Sequence, residues 1–401
     1  MNDTAHAVLM QFSQLFQMEL FPRLEREVGE LSKPAQLLSK AMAMTQLDRF
    51  IHKQFLGRPQ DDRRALVTAF LAKAIYNFAT TRQLLERLHA DDQLRRLCGW
   101  SSAAAVPSES TFSRAFADFA RRRLPEHIHE ALVRLTHQNI VIEHIARDST
   151  AIEAREHFPD PVPSGPGTGA GKEKKVKAKK ASKTSKVSGK HPRYKNTPKD
   201  LKERGRITQR QRHMDLEEKL ATIERHCSMG AKVDTKGNLK YWRGYKLHLD
   251  VADGQIPITA LLSGAHVHDA VAAIPLMHLT TQRVTYLYDV MDSAYDAEAI
   301  LAESKHLGHV PVVHPNGRRG TPESMVSPLS KLRPPKLKPQ LCPAKRERYK
   351  TRTAVERVNA RLKDEFGGRT LRVRGAAKVM AHLMFGVVAL TIDQLCNIIK
   401  Q

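Results

Sequence analysis

Short β-rich runs recur along the middle of this chain, and their order limits the possible fold more than any other feature. Val, Ile, Tyr and Thr, which fit a pleated, half-buried surface, concentrate in runs at 140–147, 241–251, 256–262, 284–290 and 310–314. Helical patterns separate the later runs, at 270–282 and 296–307. Because some runs follow one another directly and others are joined through helices, the sequence predicts a mixed α/β domain.

A basic insertion follows the first β-rich run. It spans residues 159–227, is rich in Pro, Gly and Lys as far as about residue 212, and has few apolar side chains to bury. Such a composition cannot offset the entropy of ordering, so the insertion is predicted to be largely disordered. Its lysines are expected to contact nucleic-acid phosphates without sequence preference; they include Lys174, Lys175, Lys179 and Lys180. A solvated linker is the alternative interpretation.

Residues 1–135 are predicted to form a helical N-terminal domain. Apolar side chains recur there at helical spacing, for example Leu66, Phe70, Leu71, Ala74 and Phe78. Near its end, a turn leads into a helix for which Ser108 or Ser110 is the candidate N-cap. As a recognition helix, this element would place Ser110 and Arg114 against a phosphate backbone. As a solvated helix of a structural bundle, it would contact no nucleic acid.

The charge of the chain indicates a polyanionic partner. The formal net charge is +24 and the pI is near 10.0. Anionic membranes also attract basic proteins, but the most apolar stretch, 379–392, falls short of the ~20 residues of a spanning helix and is predicted to be a buried helix. The N-terminus lacks the features of a signal peptide, so a cytoplasmic, nucleoid-associated protein is expected.

The cysteines indicate neither a disulfide framework nor a zinc site. Cys98, Cys227, Cys342 and Cys396 lie far apart, without a Cys-x-x-Cys pair or a histidine at zinc-ligand spacing. We therefore expect isolated cysteines in a reducing compartment.

Two aspartates stand where β-rich runs close. Asp148 follows the first run, and Asp292 follows the fourth. Strand alternation puts Asp289 on the face opposite Asp292, so only one of these two acids can face a site, and Asp292 is the better candidate. Asp296 is expected to cap the next helix. An aspartate before Ser-Thr, as at Asp148, is also a common turn residue.

A third acid lies in a segment of strong helical character, 345–366. Tyr349, Arg352, Glu356 and Lys363 fall within a sector of about 60° around the helix axis, beside an apolar stripe. One face of such a helix packs against the protein while the neighbouring face presents polar groups. A solvated helix would also show Arg, Glu and Lys, and spacing alone does not exclude it.

Together these residues resemble a known family. Tyr349, Arg352, Glu356 and Lys363 are similar to the YREK signature of insertion-sequence transposases of the IS4/IS5 type. Asp148-Ser-Thr and Asp292-Ser-Ala-Tyr-Asp resemble the two aspartate motifs of that family. Two further motifs, around Lys246 and His268, resemble its second strand and the loop after its third strand. The resemblance covers roughly residues 138–158 and 228–400.

The resemblance implies an RNase H-like catalytic core, formed by residues 136–158 and 228–401 as a mixed five-stranded sheet with flanking helices. Asp148, Asp292 and Glu356 would be its DDE triad and would bind two Mg²⁺ ions, for which Mn²⁺ can substitute. Many relatives have a lysine near the second acid that this chain lacks. The interval between the last β-rich run and Glu356 is also too short for the large β insertion of some relatives.

The resemblance further implies a DNA transposase that cuts transposon ends at their terminal inverted repeats and transfers them to target DNA. A homodimer is expected in the DNA complex. Tyr349, Arg352, Lys363 and Lys246 would contact DNA, and His268 is a possible supporting residue of the site. The alternatives are an RNase H-like nuclease without strand transfer and a catalytically inactive DNA-binding derivative.

Overall fold

The computed structural model describes residues 10–11, 13–51, 62–156, 198–233, 238–315 and 341–399. Before residue 140, the described chain is helical. A π-helical turn at Leu15–Leu20 leads into α1, and the helices are α1 (Phe21–Val28), α2 (Lys33–Thr45), α3 (Arg63–Ile75), α4 (Thr81–Ala90), α5 (Asp92–Cys98), α6 (Glu109–Arg121) and α7 (Leu124–His137).

Aromatic packing joins these helices to each other and to the C-terminal helix. Phe70 of α3 contacts Phe112, Phe116 and Phe119 of α6, at ring-centroid distances of 4.9–6.2 Å. It also contacts Phe385, which lies on the last helix of the chain, at 5.7 Å. Since the aromatic rings of α6 face inward, its polar side chains remain outside.

A mixed sheet follows the N-terminal helices, and all five runs predicted from the sequence are strands. The strands are β1 (Val141–Glu153), β2 (Ser228–Val233), β3 (Leu239–Ala252), β4 (Ile256–Gly264), β5 (Thr285–Met291) and β6 (Val310–Val313). β1 pairs in parallel with β5, and β5 with β6, while β3 is antiparallel to its three neighbours, β1, β2 and β4. The order β4-β3-β1-β5-β6 is the expected five-stranded RNase H-like sheet, which β2 extends along β3.

Helices cover the sheet. They are α8 (Pro198–Gln211), α9 (Leu216–Ala221), α10 (Asp269–Thr281), α11 (Glu298–His306), α12 (Pro343–Tyr349), α13 (Thr353–Asp364) and α14 (Ala376–Ile399). α13 packs against β1 and β3, and α14 packs against α2, α3, α6, α7 and β4. In the described chain, α14 alone is long and apolar enough to cross a membrane, and most of it is buried within the protein.

Part of the basic insertion, which was predicted to be largely disordered, is structured. Of residues 159–227, those up to 197 lie outside the described chain, whereas the remainder contains α8 and α9. A capping box between Asp215 and Glu218 begins α9. Gln211 of α8 donates to the Val271 carbonyl at 2.9 Å, which fastens α8 to α10. The high overall charge of the insertion concealed these local helix signals.

Candidate active site

Asp148 and Asp292 lie side by side in the middle of the sheet. The parallel strands β1 and β5 pair Arg147 with Met291, so Asp148 in β1 lies next to Asp292, which directly follows β5. Arg147 turns to the opposite face, where it bonds to the buried Asp289 at 3.1 Å. β1 continues to Glu153, so Asp148 lies within the strand rather than at its end as the sequence suggested.

Burial and neighbouring negative charges disfavour the charged forms of both aspartates. Burial raises the pKa of Asp148 to about 6; the Ser149 amide, donating at 2.8 Å, opposes that rise, and the negative charges of Asp292 and Asp269 add to it. Burial also raises the pKa of Asp292, against a 2.8 Å hydrogen bond from the Ala294 amide. Neither carboxylate forms a direct ion pair with a described residue, and the more distant charge of Arg352 offsets only part of the rise in pKa.

Glu356 approaches the two aspartates from α13. The segment 345–366, predicted as one helix, is interrupted by a 3₁₀ turn at Lys350–Arg352, which separates α12 from α13. Arg352 donates to Glu356 at 2.6 Å. Burial raises the pKa of Tyr349, and the charges of all three acids contribute to its environment. Tyr349, Arg352 and Glu356 of the helical signature therefore share one electrostatic environment with the strand aspartates.

The donor set suits hard divalent cations. Asp148, Asp292 and Glu356 provide carboxylate oxygens, the ligands that Mg²⁺ and Mn²⁺ prefer. In the described chain, these three groups do not form a cluster with all ligand oxygens within 4.8 Å of one another. Glu356 instead accepts a hydrogen bond from Arg352. The raised pKa values of Asp148 and Asp292 show an excess of negative charge that bound cations would neutralise.

A fourth acid, Asp269, follows His268 in one of the family motifs but was not predicted to be a site residue. It begins α10, and Lys246 of β3 donates to it at 3.0 Å and to the Val267 carbonyl at 2.8 Å. Although burial opposes the effect, Lys246 holds the pKa of Asp269 below its usual value. A phosphate contact by Lys246 would have to displace this ion pair. The neighbouring His268 caps α10 by accepting from the Ala270 amide, and burial lowers its pKa to about 4.

Lys363 lies near the far end of β1, beyond the aspartate pair. Burial lowers the pKa of its ammonium, and the neighbouring charges of Arg369 and Lys232 lower it further, while Glu153 opposes them. Lys232, on β2, also influences the pKa of Asp292. Lys232 was not among the site residues predicted from the sequence, because it lies outside the helical signature. Its position was detectable only once β2 was paired with β3.

The remaining predicted contact residues lie apart from the acids. Ser108, rather than Ser110, occupies the N-cap position of α6. Ser110 and Arg114 are exposed; Ser110 lies 2.9 Å from the Ser108 hydroxyl, and Arg114 donates to Thr111 at 3.4 Å. The lysines of the insertion lie outside the described residues, and these are Lys174, Lys175, Lys179 and Lys180.

Comparison with known proteins gives two family matches. The profile of the family described as Transposase DDE domain matches residues 140–392, which extend from β1 into α14. The profile described as Transposase domain (DUF772) matches residues 22–118, within the N-terminal helices. No curated protein and no solved structure matches significantly.

Proposed function

The chain belongs to the Transposase DDE domain family, and from that membership we propose that Asp148, Asp292 and Glu356 are its three catalytic carboxylates. The protein is a DNA transposase. The observation that carries the residue assignment is the pair of neighbouring aspartates without a direct ion-pair partner, to which Arg352 connects Glu356 electrostatically. We further propose that the chain is of the IS4/IS5 type.

The family uses divalent metal ions, and we propose that the three carboxylates of this chain hold two Mg²⁺ ions. Two such ions stabilise charge on both the attacking and the leaving oxygen of a displacement at phosphorus. Backbone amides orient two of the proposed metal-binding carboxylates: the Ser149 amide donates to one oxygen of Asp148, and the Ala294 amide donates to one oxygen of Asp292. Arg352 holds Glu356 in the same way.

Cationic side chains beside the acids are proposed to bind the DNA strand that is cut. Arg352 directly precedes α13, and Lys363 lies on it. Both positive side chains would bind phosphates that flank the scissile bond. Tyr349 is proposed to orient the strand near the scissile bond. We propose that Lys246 and His268 act indirectly, by positioning Asp269 and the start of α10.

Strand transfer separates this proposal from a nuclease that only cuts. The purified chain would be incubated with Mg²⁺, a duplex carrying the terminal inverted repeats of its element, and a supercoiled target. We expect joined products in which each repeat end is covalently linked to the target. Cut ends without joining would assign a nuclease, and binding without cutting would assign an inactive derivative. A homodimer is proposed in this complex, measurable by the mass of the protein–DNA assembly.

A basic cleft suggests where the bound DNA continues. It measures about 820 Å³ and lies between α3, α4, α6 and the start of α14. Five cations line it, and none forms an ion pair with a described residue: Lys73, Arg82, Arg372, Arg374 and Lys378. Glu109 is the single acid lining it. Unpaired cations concentrated in one cleft favour a polyanion.

This cleft follows α13 directly along the chain. The segment after α13 carries Arg372 and Arg374 into the cleft, and the side chain of Asn77 donates to the Asp364 carbonyl at 2.8 Å, which ties that segment to the N-terminal helices. Ser113 of α6 also lines the cleft. We therefore propose that the transposon end runs from the acids past Lys363 into the cleft and along α6, while the insertion lysines contact DNA without sequence preference.

Replacing Arg372 and Arg374 together by alanine should weaken binding to the terminal-repeat duplex. Log affinity falls as log salt rises, and each lost phosphate contact makes this slope less steep by about 0.9. Binding measured between low and moderate salt should therefore give a slope smaller by about 1.8. The matched control is Arg23→Ala, because Arg23 is exposed on α1 and pairs with Glu27. Equal slopes for parent and double variant would remove the cleft from the DNA path.

Lys73 should make this binding depend on pH. Burial lowers its pKa to about 8, so free protein loses this positive charge as pH rises through that value. A bound phosphate favours the charged form, which means that DNA binding takes up a proton and weakens as pH rises from 7 to 9. Binding titrations across this range should show the decline. Lys73→Met should flatten the profile, and an unchanged profile would place the phosphates elsewhere.

A further inference from the structure

A second cluster of metal-ligating side chains lies outside the proposed active site. Glu224 and His226 lie just before β2, and His266 lies in the loop after β4. Their ligand atoms all lie within 4.8 Å of one another. We propose that this cluster is a binding site for a borderline transition-metal ion, Zn²⁺ in the first instance. The proposal is independent of the catalytic assignment, since it shares no residue with the triad.

The distances suit a tetrahedral ion. His266 Nε2 lies 3.0 Å from Glu224 Oε2, and His226 Nδ1 lies 3.6 Å from the same oxygen. Ligand atoms at about 2.0–2.1 Å from zinc, on the corners of a tetrahedron, are separated by roughly 3.3 Å. Small rotations of these side chains would therefore bring all three donors to one ion. Two imidazoles and one carboxylate suit zinc, whereas Mg²⁺ prefers oxygen ligands.

A hydrogen bond already orients one ligand. The Oγ of Ser228 lies 2.8 Å from His266 Nδ1 and accepts from the His266 amide at 3.1 Å. Without a metal, Nε2 carries the ring proton and donates it to the Glu224 carboxylate at 3.0 Å; a metal ion replaces that proton, and Nδ1 then carries the ring proton and donates it to Ser228. Histidines that ligate metals usually have such a partner on the other ring nitrogen, which fixes the tautomer and the ring orientation.

The backbone brings the two segments together. The Gly264 amide donates to the Glu224 carbonyl at 2.7 Å. A side chain at Gly264 would start 2.6 Å from the His226 carbonyl oxygen and 3.0 Å from Ser228 Oγ, so glycine is required for this approach. The ligands are thus held on a fixed frame, and their exposure leaves the fourth coordination position to water or an external donor.

The expectation of no zinc rested on the spacing of cysteines, and this cluster uses none. Its ligands come from segments about forty residues apart in the sequence. These segments meet because β2 and β4 both pair with β3. A bound ion would tie the segment entering β2 to the loop that leads to Asp269 at the start of α10. It would therefore stabilise one wall of the proposed active site without taking part in cleavage.

Zinc binding by the full-length, tag-free protein tests the proposal. Metal-stripped protein would be titrated with Zn²⁺ against a chromophoric chelator, with excess Mg²⁺ present to occupy oxygen-rich sites. We expect one zinc equivalent in the parent protein that is lost in His226→Ala, His266→Ala and Glu224→Gln. His306→Ala, at an exposed histidine of α11, and Cys342→Ser should keep it. Cobalt bound at the same stoichiometry should show the visible absorption of a four-coordinate ion.

Ser228→Ala guards against variants that lose zinc by misfolding. It leaves all three ligands in place but removes the partner of His266 Nδ1, and should weaken zinc binding by about 10–100-fold. Circular dichroism should match the parent for each variant. If the parent binds no more zinc than the His226→Ala, His266→Ala double variant, or if cobalt gives only the six-coordinate spectrum, the proposal is overturned, whatever the outcome of the cleavage assays.

Discussion

Asp148→Asn, Asp292→Asn and Glu356→Gln should each abolish metal-dependent cleavage of a terminal-repeat duplex while leaving the affinity for that duplex nearly unchanged. Removing a carboxylate ligand removes stabilisation of charge that develops only in the transition state, whereas binding of the duplex depends on cations elsewhere. A loss of about 4 kcal/mol of this stabilisation lowers the rate by roughly 10³-fold. Single-turnover cleavage and equilibrium binding on the same DNA measure both quantities.

Matched controls make these losses interpretable. Glu365→Gln applies the same change just after α13, at a carboxylate that pairs with Arg361, and should cleave normally. Asp253→Asn tests an aspartate in the turn between β3 and β4, where it contacts His144. A triad variant that retains full cleavage would remove its residue from the triad, and a variant that loses binding together with cleavage would indicate a structural rather than a catalytic role.

The strands were predictable because residues that face the core alternate or run together in the sequence. The extent of β1 was not, because Asp148-Ser-Thr is typical of a turn, and only pairing with β3 shows that the strand continues to Glu153. Asp296 was expected to cap α11, but Ala297 occupies that N-cap position. Such boundaries depend on hydrogen bonds to distant segments, which local sequence does not contain.

The triad candidates followed from signature residues, whereas the surrounding charges did not. Asp269, Lys246 and Lys232 come from three different elements, and their proximity to the acids depends on how β2, β3 and α10 pack. Lys246 illustrates the difference. The sequence indicated a basic side chain available for DNA, and packing commits that ammonium to Asp269 and a carbonyl. Which partner a charge finds is a property of the tertiary structure.

Beneath the acids, a buried ionic group joins β1, β3 and β5. The fully buried Arg147 donates to Asp250 at 2.6 Å and to Asp289 at 3.1 Å. Asp289 also accepts from Tyr286 at 3.1 Å and from Ser304 at 2.6 Å. Burial raises the pKa of Asp250 despite the neighbouring guanidinium. Strand alternation assigned Asp289 to the face away from Asp292, and this group gives it a structural partner there.

Arg147→Met should therefore strongly destabilise the protein. It leaves two buried carboxylates without a counter-ion, a change that typically costs about 3–5 kcal/mol in the free energy of unfolding. Asp289→Asn should cost much less, because Arg147 keeps its pair with Asp250 and an amide oxygen can still accept from Tyr286. Denaturant unfolding, followed by circular dichroism, measures both changes.

The double variant Arg147→Met, Asp289→Asn should be less destabilised than the sum of the two single changes, since the second substitution removes one of the two unpaired buried charges.

The loss of stability caused by Arg147→Met should also be smaller at low pH. Without Arg147 the folded-state pKa of Asp250 rises further above its unfolded value, so protonation of Asp250 favours the folded state, and this contribution is lost as pH rises through the folded pKa. Unfolding at pH 5 and pH 8 tests this sign. Additive changes with a deficit independent of pH would mean that Arg147 contributes by packing alone, and that the sheet carrying Asp148 and Asp292 does not depend on this ionic group.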